Sequence, residues 1–157
     1  WHFLEHEIEK ARRYRKNLSI IMCDLDKFSE INNTYGHQVG DKVLEVFANT
    51  IKSLSRSSDI VTRYGGEEFL IIVPEANLEQ AYLFAEKIRT ATEKLKFKYK
   101  DKEFYITVSL GVAQFRQEDT IETLIERADK MLYEAKKTRN STVKEILWQE
   151  LRKLITN

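Results

Sequence analysis

The stretch Arg63-Tyr64-Gly65-Gly66-Glu67-Glu68-Phe69 limits the fold of this chain more than any other. It lies between two strand-like runs, residues 59–63 and 69–73, and so predicts the turn of a β-hairpin. A Gly-Gly pair suits a tight hairpin turn, because such turns call for a positive φ that a Cβ resists. Two bare glycines also let a bulky anion lie against the backbone. Glu67 and Glu68 then stand at the tip, where carboxylates can hold a phosphate through a metal ion, since Mg²⁺ favours oxygen ligands. Taken alone, the same residues equally describe an ordinary turn carrying two solubilising acids.

Elements of both kinds surround this hairpin. Residues 1–16 place Trp1, Leu4, Ile8 and Ala11 at helix spacing. Residues 18–23 form a short continuous apolar run, hence a buried central strand, ending at Asp24-Leu25-Asp26. A short helical segment carries Phe28, Ile31 and Asn32, residues 33–37 read as a turn, and Gly40-Asp41 begins a helix to about Leu54. That helix turns Val39, Val43, Phe47, Ile51 and Leu54 inward. Asn77 and Gln80 predict the capping box of a helix reaching about Leu95.

Residues 97–99 and 103–113 predict a second hairpin, with Phe104, Ile106, Val108, Leu110 and Val112 on one face of its longer strand. Asp119 and Glu122 are expected to cap a helix carrying Leu124, Ile125, Ala128, Met131, Leu132 and Ala135. Residues 143–155 carry an amphipathic stripe of Val143, Leu147, Leu151 and Leu154. The order predicts an α/β (α+β sandwich) fold with a central, largely antiparallel five-stranded sheet flanked by helices.

Charge narrows the partners. Lys and Arg total 26 against 25 Asp and Glu, so no global field recruits nucleic acid or an acidic membrane surface. No apolar run is long enough for a bilayer, so no direct membrane contact is expected. The single cysteine, Cys23, excludes an internal disulfide and reads as a small buried core residue. With no signal peptide at its start, the chain is expected to be cytoplasmic, a reading also compatible with a membrane-anchored parent.

Two sets of polar residues carry chemistry. Asp24 at a strand end and Glu67 at a hairpin tip meet at one sheet edge if their strands are neighbours, which suits Mg²⁺; alternatively Asp24 caps a helix. Asp26 reads more simply as a cap or salt-bridge partner. Asn32 and Asp41 serve either as caps or as an amide and a carboxylate that read guanine. His37 has no metal-ligand partner at useful spacing, and His2 and His6 lie on the first helix.

Together these residues resemble the GGDEF family of diguanylate cyclases, in its GGEEF variant. The matching segments are Asp24-Leu25-Asp26-Lys27-Phe28, Asn32, Gly36-His37, Gly40-Asp41, residues 63–69, Val108-Ser109-Leu110-Gly111, and residues 128–136. The resemblance implies a nucleotidyl cyclase or polymerase-palm-like sheet and a catalytic homodimer binding one GTP per protomer. Each 3′-hydroxyl attacks the α-phosphate of the other GTP, giving cyclic di-GMP and pyrophosphate. Asp24, the Leu25 carbonyl and Glu67 are implied ligands of Mg²⁺, with Mn²⁺ as the alternative. Glu67 is the implied base, assisted by Glu68. Asn32, Asp41 and His37 are implied at guanine, and Phe28, Ser29, Lys136 and Arg139 at the phosphates. Arg56-Ser57-Ser58-Asp59, with Arg63, resembles the family's inhibitory product site.

Three departures bear on activity. Ser29 stands where the family has a phosphate-directed Lys, a contact whose loss costs roughly 10²–10³ in rate unless Lys27 or Lys136 compensates. Residues 136–140 are one residue short, lacking the usual Gly before Arg139-Asn140, so either lysine of the Lys136-Lys137 pair could meet phosphate. The family's opening segment is expected just before Trp1. The catalytic domain is placed at 1–142, with 143–157 as core helix, linker or dimerising seam. The rival function is a catalytically inactive module that binds cyclic di-GMP or GTP.

Overall fold

The computed structural model describes residues 2–146 and residue 154. β1 (Leu18–Leu25) is buried on both faces and pairs antiparallel with β3 (Glu68–Pro74) on one side and β6 (Val108–Gln114) on the other. β2 (Ile60–Arg63) completes the hairpin with β3, and β7 (Thr142–Lys144) adds to β6 in parallel. The central sheet therefore runs β2-β3-β1-β6-β7, with β4 (Phe97–Tyr99) and β5 (Lys102–Phe104) forming a separate ribbon. Five strands and a mostly antiparallel sheet are as expected, but the membership differs. Residues 105–107 interrupt the long alternating run, so the second hairpin leaves the sheet and β7 takes the fifth place.

Alternation along the strands builds a core on each face. Ile21, Cys23, Leu25, Ile71, Leu110 and Val112 pack with α3 (His37–Leu54) and α4 (Leu78–Glu93). Ile20, Met22, Leu70, Ile72 and Ala113 pack with α1 (His2–Tyr14) and α5 (Ile121–Thr138). α2 (Phe28–Tyr35) follows β1 directly and buries Phe28 and Ile31. Its stacked contact of Tyr35 on Phe104, with centroids 4.3 Å apart, holds the β4–β5 ribbon beside α2.

Local signals hold with small shifts. Asn77 and Gln80 form the expected capping box, whereas the cap of α5 is Thr120 with Thr123, one residue beyond the expected pair. Asp119 instead accepts from the Arg116 backbone, the Thr123 hydroxyl and Arg127. The expected turn at 33–37 contracts to Gly36, whose φ of 94° lets α2 pass straight into α3. Leu54 is 37% exposed rather than inward. Neither Gly65 nor Gly66 has a positive φ, because a four-residue loop joins β2 to β3 and wide loops do not need the left-handed turn of a two-residue hairpin.

At the C-terminal end, Val143 and Lys144 are strand rather than helix, since Val143 finds a register partner in Gly111. Glu145 is buried against Arg127 at 2.6 and 2.7 Å, so the packed unit continues past residue 142. Residues 147–153 and 155–157 of the expected tail helix, and Trp1 of the first helix, lie outside the described residues; Leu154 is helical and exposed.

Candidate functional site

The ends of β1 and β3 bring the acids together. Asp24 is paired in register with Glu68, and the Leu25 amide donates to the Glu67 carbonyl at 3.4 Å. Asp24 is thus inside the strand and is no helix cap; the N-cap of α2 is Lys27, left-handed at φ 55°, with no side-chain capping bond. Burial pushes the Asp24 carboxyl up to about 6, opposed by Lys136 and reinforced by Glu67 and Glu68. Glu68 is likewise raised, by burial first and then by Asp129 and Glu67, while its hydrogen bond with Asp24 acts the other way. Three carboxylates therefore share one electrostatic neighbourhood.

Asp26 stands apart from them as a structural hub. Its side chain, 2% exposed, accepts from the Thr107 hydroxyl (2.6 Å), the Ser109 hydroxyl (2.8 Å), the Asn140 amide (2.9 Å) and Lys136 Nζ (2.9 Å). Burial alone would raise its pKa, and these bonds outweigh it, so the carboxyl titrates below the usual range. Nothing in its own neighbourhood of sequence marked Thr107, Ser109 or Asn140 as its partners.

Lys136 is held by more than Asp26. Its Nζ also lies 3.1 Å from the Asp24 carbonyl, 3.3 Å from the Leu25 carbonyl and 3.3 Å from Asp24 Oδ1. Lys137 turns away to Glu134 at 3.0 Å. The one-residue shortening is absorbed without glycine: Arg139 and Asn140 adopt φ of 63° and 41°. Arg139, Lys27 and Glu30 line a cleft of about 540 Å³ beside the start of α2, and Ser29 is exposed on the first turn of that helix.

Asn32 is helical, on α2, and its Oδ1 packs against Gly40 of α3. Among the described residues it is the buried side-chain polar atom with no hydrogen-bond partner. Asp41, within α3 rather than capping it, lines a second cleft of about 430 Å³ with Leu44, Val61, Arg63 and Phe69. His37 is exposed at the first position of α3 and does not line either cleft.

The residues of the expected product site are engaged with the protein itself. Arg56 donates to Asp59 at 3.0 Å and to the Pro74 carbonyl at 2.7 Å, and its backbone amide donates to Asp59 at 2.8 Å. Arg63 is not with them: its guanidinium grips the Gly65 and Gly66 carbonyls and closes the hairpin loop.

No group of three or more His, Cys, Asp or Glu among the described residues is arranged to hold a metal ion alone. The ligands expected from the sequence, Asp24, the Leu25 carbonyl and Glu67, would nonetheless offer only hard oxygen, with an Asp24 carboxyl whose ionisation is disfavoured and would be relieved by a cation. That chemistry fits Mg²⁺, which commonly takes one or two carboxylates and completes its shell with phosphate and water. No helix among the described residues is long and apolar enough to cross a membrane.

A family model for the diguanylate cyclase GGDEF domain matches residues 2–142. Diguanylate cyclase A of Treponema denticola is 39% identical over 143 residues, covering 89% of this chain and 38% of that protein. Diguanylate cyclase DosC of Escherichia coli is 40% identical over 146 residues, covering 92% of this chain and 31% of DosC. The chain thus spans about a third of the length of these relatives. Among solved structures, the active GGEEF domain of a Vibrio cholerae diguanylate cyclase superposes with a TM-score of 0.88 at 32% identity, covering 94% of each chain. The GGDEF domain of Caulobacter crescentus DgcB, solved in complex with c-di-GMP, gives 0.88 at 29% identity, covering 91% of this chain and 86% of that one.

Proposed function

This chain belongs to the GGDEF family of diguanylate cyclase domains, and we propose that it condenses two molecules of GTP into cyclic di-GMP at a two-fold homodimer. The observation that carries this reading is the convergence of Asp24, Glu67 and Glu68 beside the uncapped start of α2 and the Lys136 ammonium. In each half-reaction a 3′-oxygen bonds to the α-phosphorus of the other GTP, pyrophosphate leaves, and the 3′-proton passes to a base. Glu67 is that base, and Glu68 supports the adjoining charge. Asp24, the Leu25 carbonyl and Glu67 are the residues to hold Mg²⁺ or Mn²⁺. The cation supplies charge neutralisation on the phosphates and orients the displacement.

The phosphates meet the backbone N–H groups of residues 28–30 at the α2 N-terminus, where helix geometry favours anions. Lys136 and Arg139 add positive charge there. The unpartnered Asn32 Oδ1 supports a polar ligand between α2 and α3, with Asp41 accepting from guanine and His37 at the rim. Product inhibition at Arg56 and Asp59 requires Arg56 to release Asp59 and Pro74 first, and Arg63 to release its hairpin carbonyls.

The chain should convert labelled GTP with Mg²⁺ to cyclic di-GMP, with little product from ATP, because Asp41 accepts from guanine N1–H and adenine offers no equivalent donor. Comparable incorporation from ATP contradicts the guanine assignment. Ser29, uncharged at the helix start, favours the rival reading of a silent binding module; saturable binding of GTP or cyclic di-GMP with no turnover at any enzyme concentration would decide for it.

A further inference from the structure

We propose that Lys136 is a tethered counter-ion that competes with a divalent cation for the oxygens of Asp24 and Leu25, and that yielding them frees its ammonium for a nucleotide phosphate. It rests on the cation role proposed above for those oxygens. The ammonium has three protons to donate, yet four oxygens surround it within 3.3 Å: Asp24 O and Oδ1, Leu25 O and Asp26 Oδ1. Two of them, Asp24 Oδ1 and Leu25 O, belong to the proposed cation ligand set. An ammonium and a divalent cation repel at such range, so each weakens the other's hold on these atoms.

The geometry also provides an exit. Lys136 sits on the last turn of α5 with its side chain 29% exposed, and its four-carbon stem lets the charge swing. Asp26 keeps three of its four donors when Lys136 leaves, since Thr107, Ser109 and the Asn140 amide continue to serve both its oxygens. One residue on, Lys137 is exposed and paired with Glu134, so it provides a comparison on the same turn.

Lys136→Met keeps the stem and removes the charge. Titrated with Mn²⁺ by calorimetry in the absence of nucleotide, the variant should bind about tenfold more tightly than the unmodified chain. Equal or weaker binding, including no binding by either protein, overturns the proposal. The unmodified chain gives a second test that does not depend on the variant folding. Limited acylation of its amines, read by mass spectrometry, should label Lys136 several-fold faster with Mn²⁺ than without, Lys137 being unchanged. Unchanged labelling of Lys136 overturns the proposal. Neither readout needs turnover, so failure of the cyclase reading is seen separately, as absence of cyclic di-GMP from GTP and Mg²⁺.

Discussion

The side-chain oxygen of Asn32 occupies the volume that a Cβ at Gly40 would need, so the identity of residue 40 sets the position of residue 32. Gly40→Ala must push Asn32 aside, since Phe28 also crowds the site. The overpacking should cost about 1–3 kcal/mol of stability. If Asn32 reads guanine, KM for GTP should rise roughly tenfold, the loss of about one hydrogen bond. Steady-state kinetics on the folded variant check this; an unchanged KM would remove Asn32 from the nucleotide site.

Asp26 should matter to stability more than any exposed acid. Asp26→Ala strands Thr107, Ser109 and the Asn140 amide at once and takes from Lys136 one of its four oxygens, and a loss of about 3–5 kcal/mol is expected by urea unfolding. Its folded pKa lies below the unfolded value, so its contribution is present above about pH 4 and is lost as pH falls through the lower folded pKa. A variant as stable as the parent at neutral pH would refute the hub role.

Asp24 has the opposite sign. With its folded pKa at about 6, the folded chain binds a proton more tightly than the unfolded one, so stability contributed by this group falls as pH rises from about 4 to 6. A cation that favours the ionised form should offset that loss. The Mg²⁺-induced rise in Tm is therefore expected to be larger at pH 7.5 than at pH 5. An equal rise at both would separate Asp24 from the cation site.

Glu145→Ala should destabilise the domain by about 3–5 kcal/mol, because it leaves Arg127 beside Asp119 without its second carboxylate and removes the acceptor of the Gln114 amide. Loss of β7 should accompany it, seen as faster amide exchange at residues 142–144. A neutral result would put the edge of the packed unit back at residue 142.

Much of this was legible in the sequence because the signals are local. The continuous apolar run of β1, the Asn77–Gln80 box and the helix stripes each record a periodicity or a cap that tertiary packing then keeps. β7 was not legible. Three residues carry no period of their own, and Val143 fits a helical stripe equally well until β6 offers it a parallel partner across the whole of α5. The candidate acids follow from a motif, yet the partners of Asp26 lie 81 to 114 positions away and follow from topology. The hairpin glycines suggest a conformation that they do not adopt. What surrounds Gly66 is open space, which suits approach by a ligand better than it explains the turn.

The most direct test is the dependence of cyclic di-GMP formation on protein concentration, with GTP and Mg²⁺ saturating. One chain presents half of the proposed reaction site, so the rate should climb more steeply than first order at low concentration and become linear once dimers dominate. Glu67→Gln should abolish it while leaving Tm close to that of the parent. A rate strictly proportional to protein throughout, or undiminished turnover in Glu67→Gln, would contradict a dimeric site built on that carboxylate.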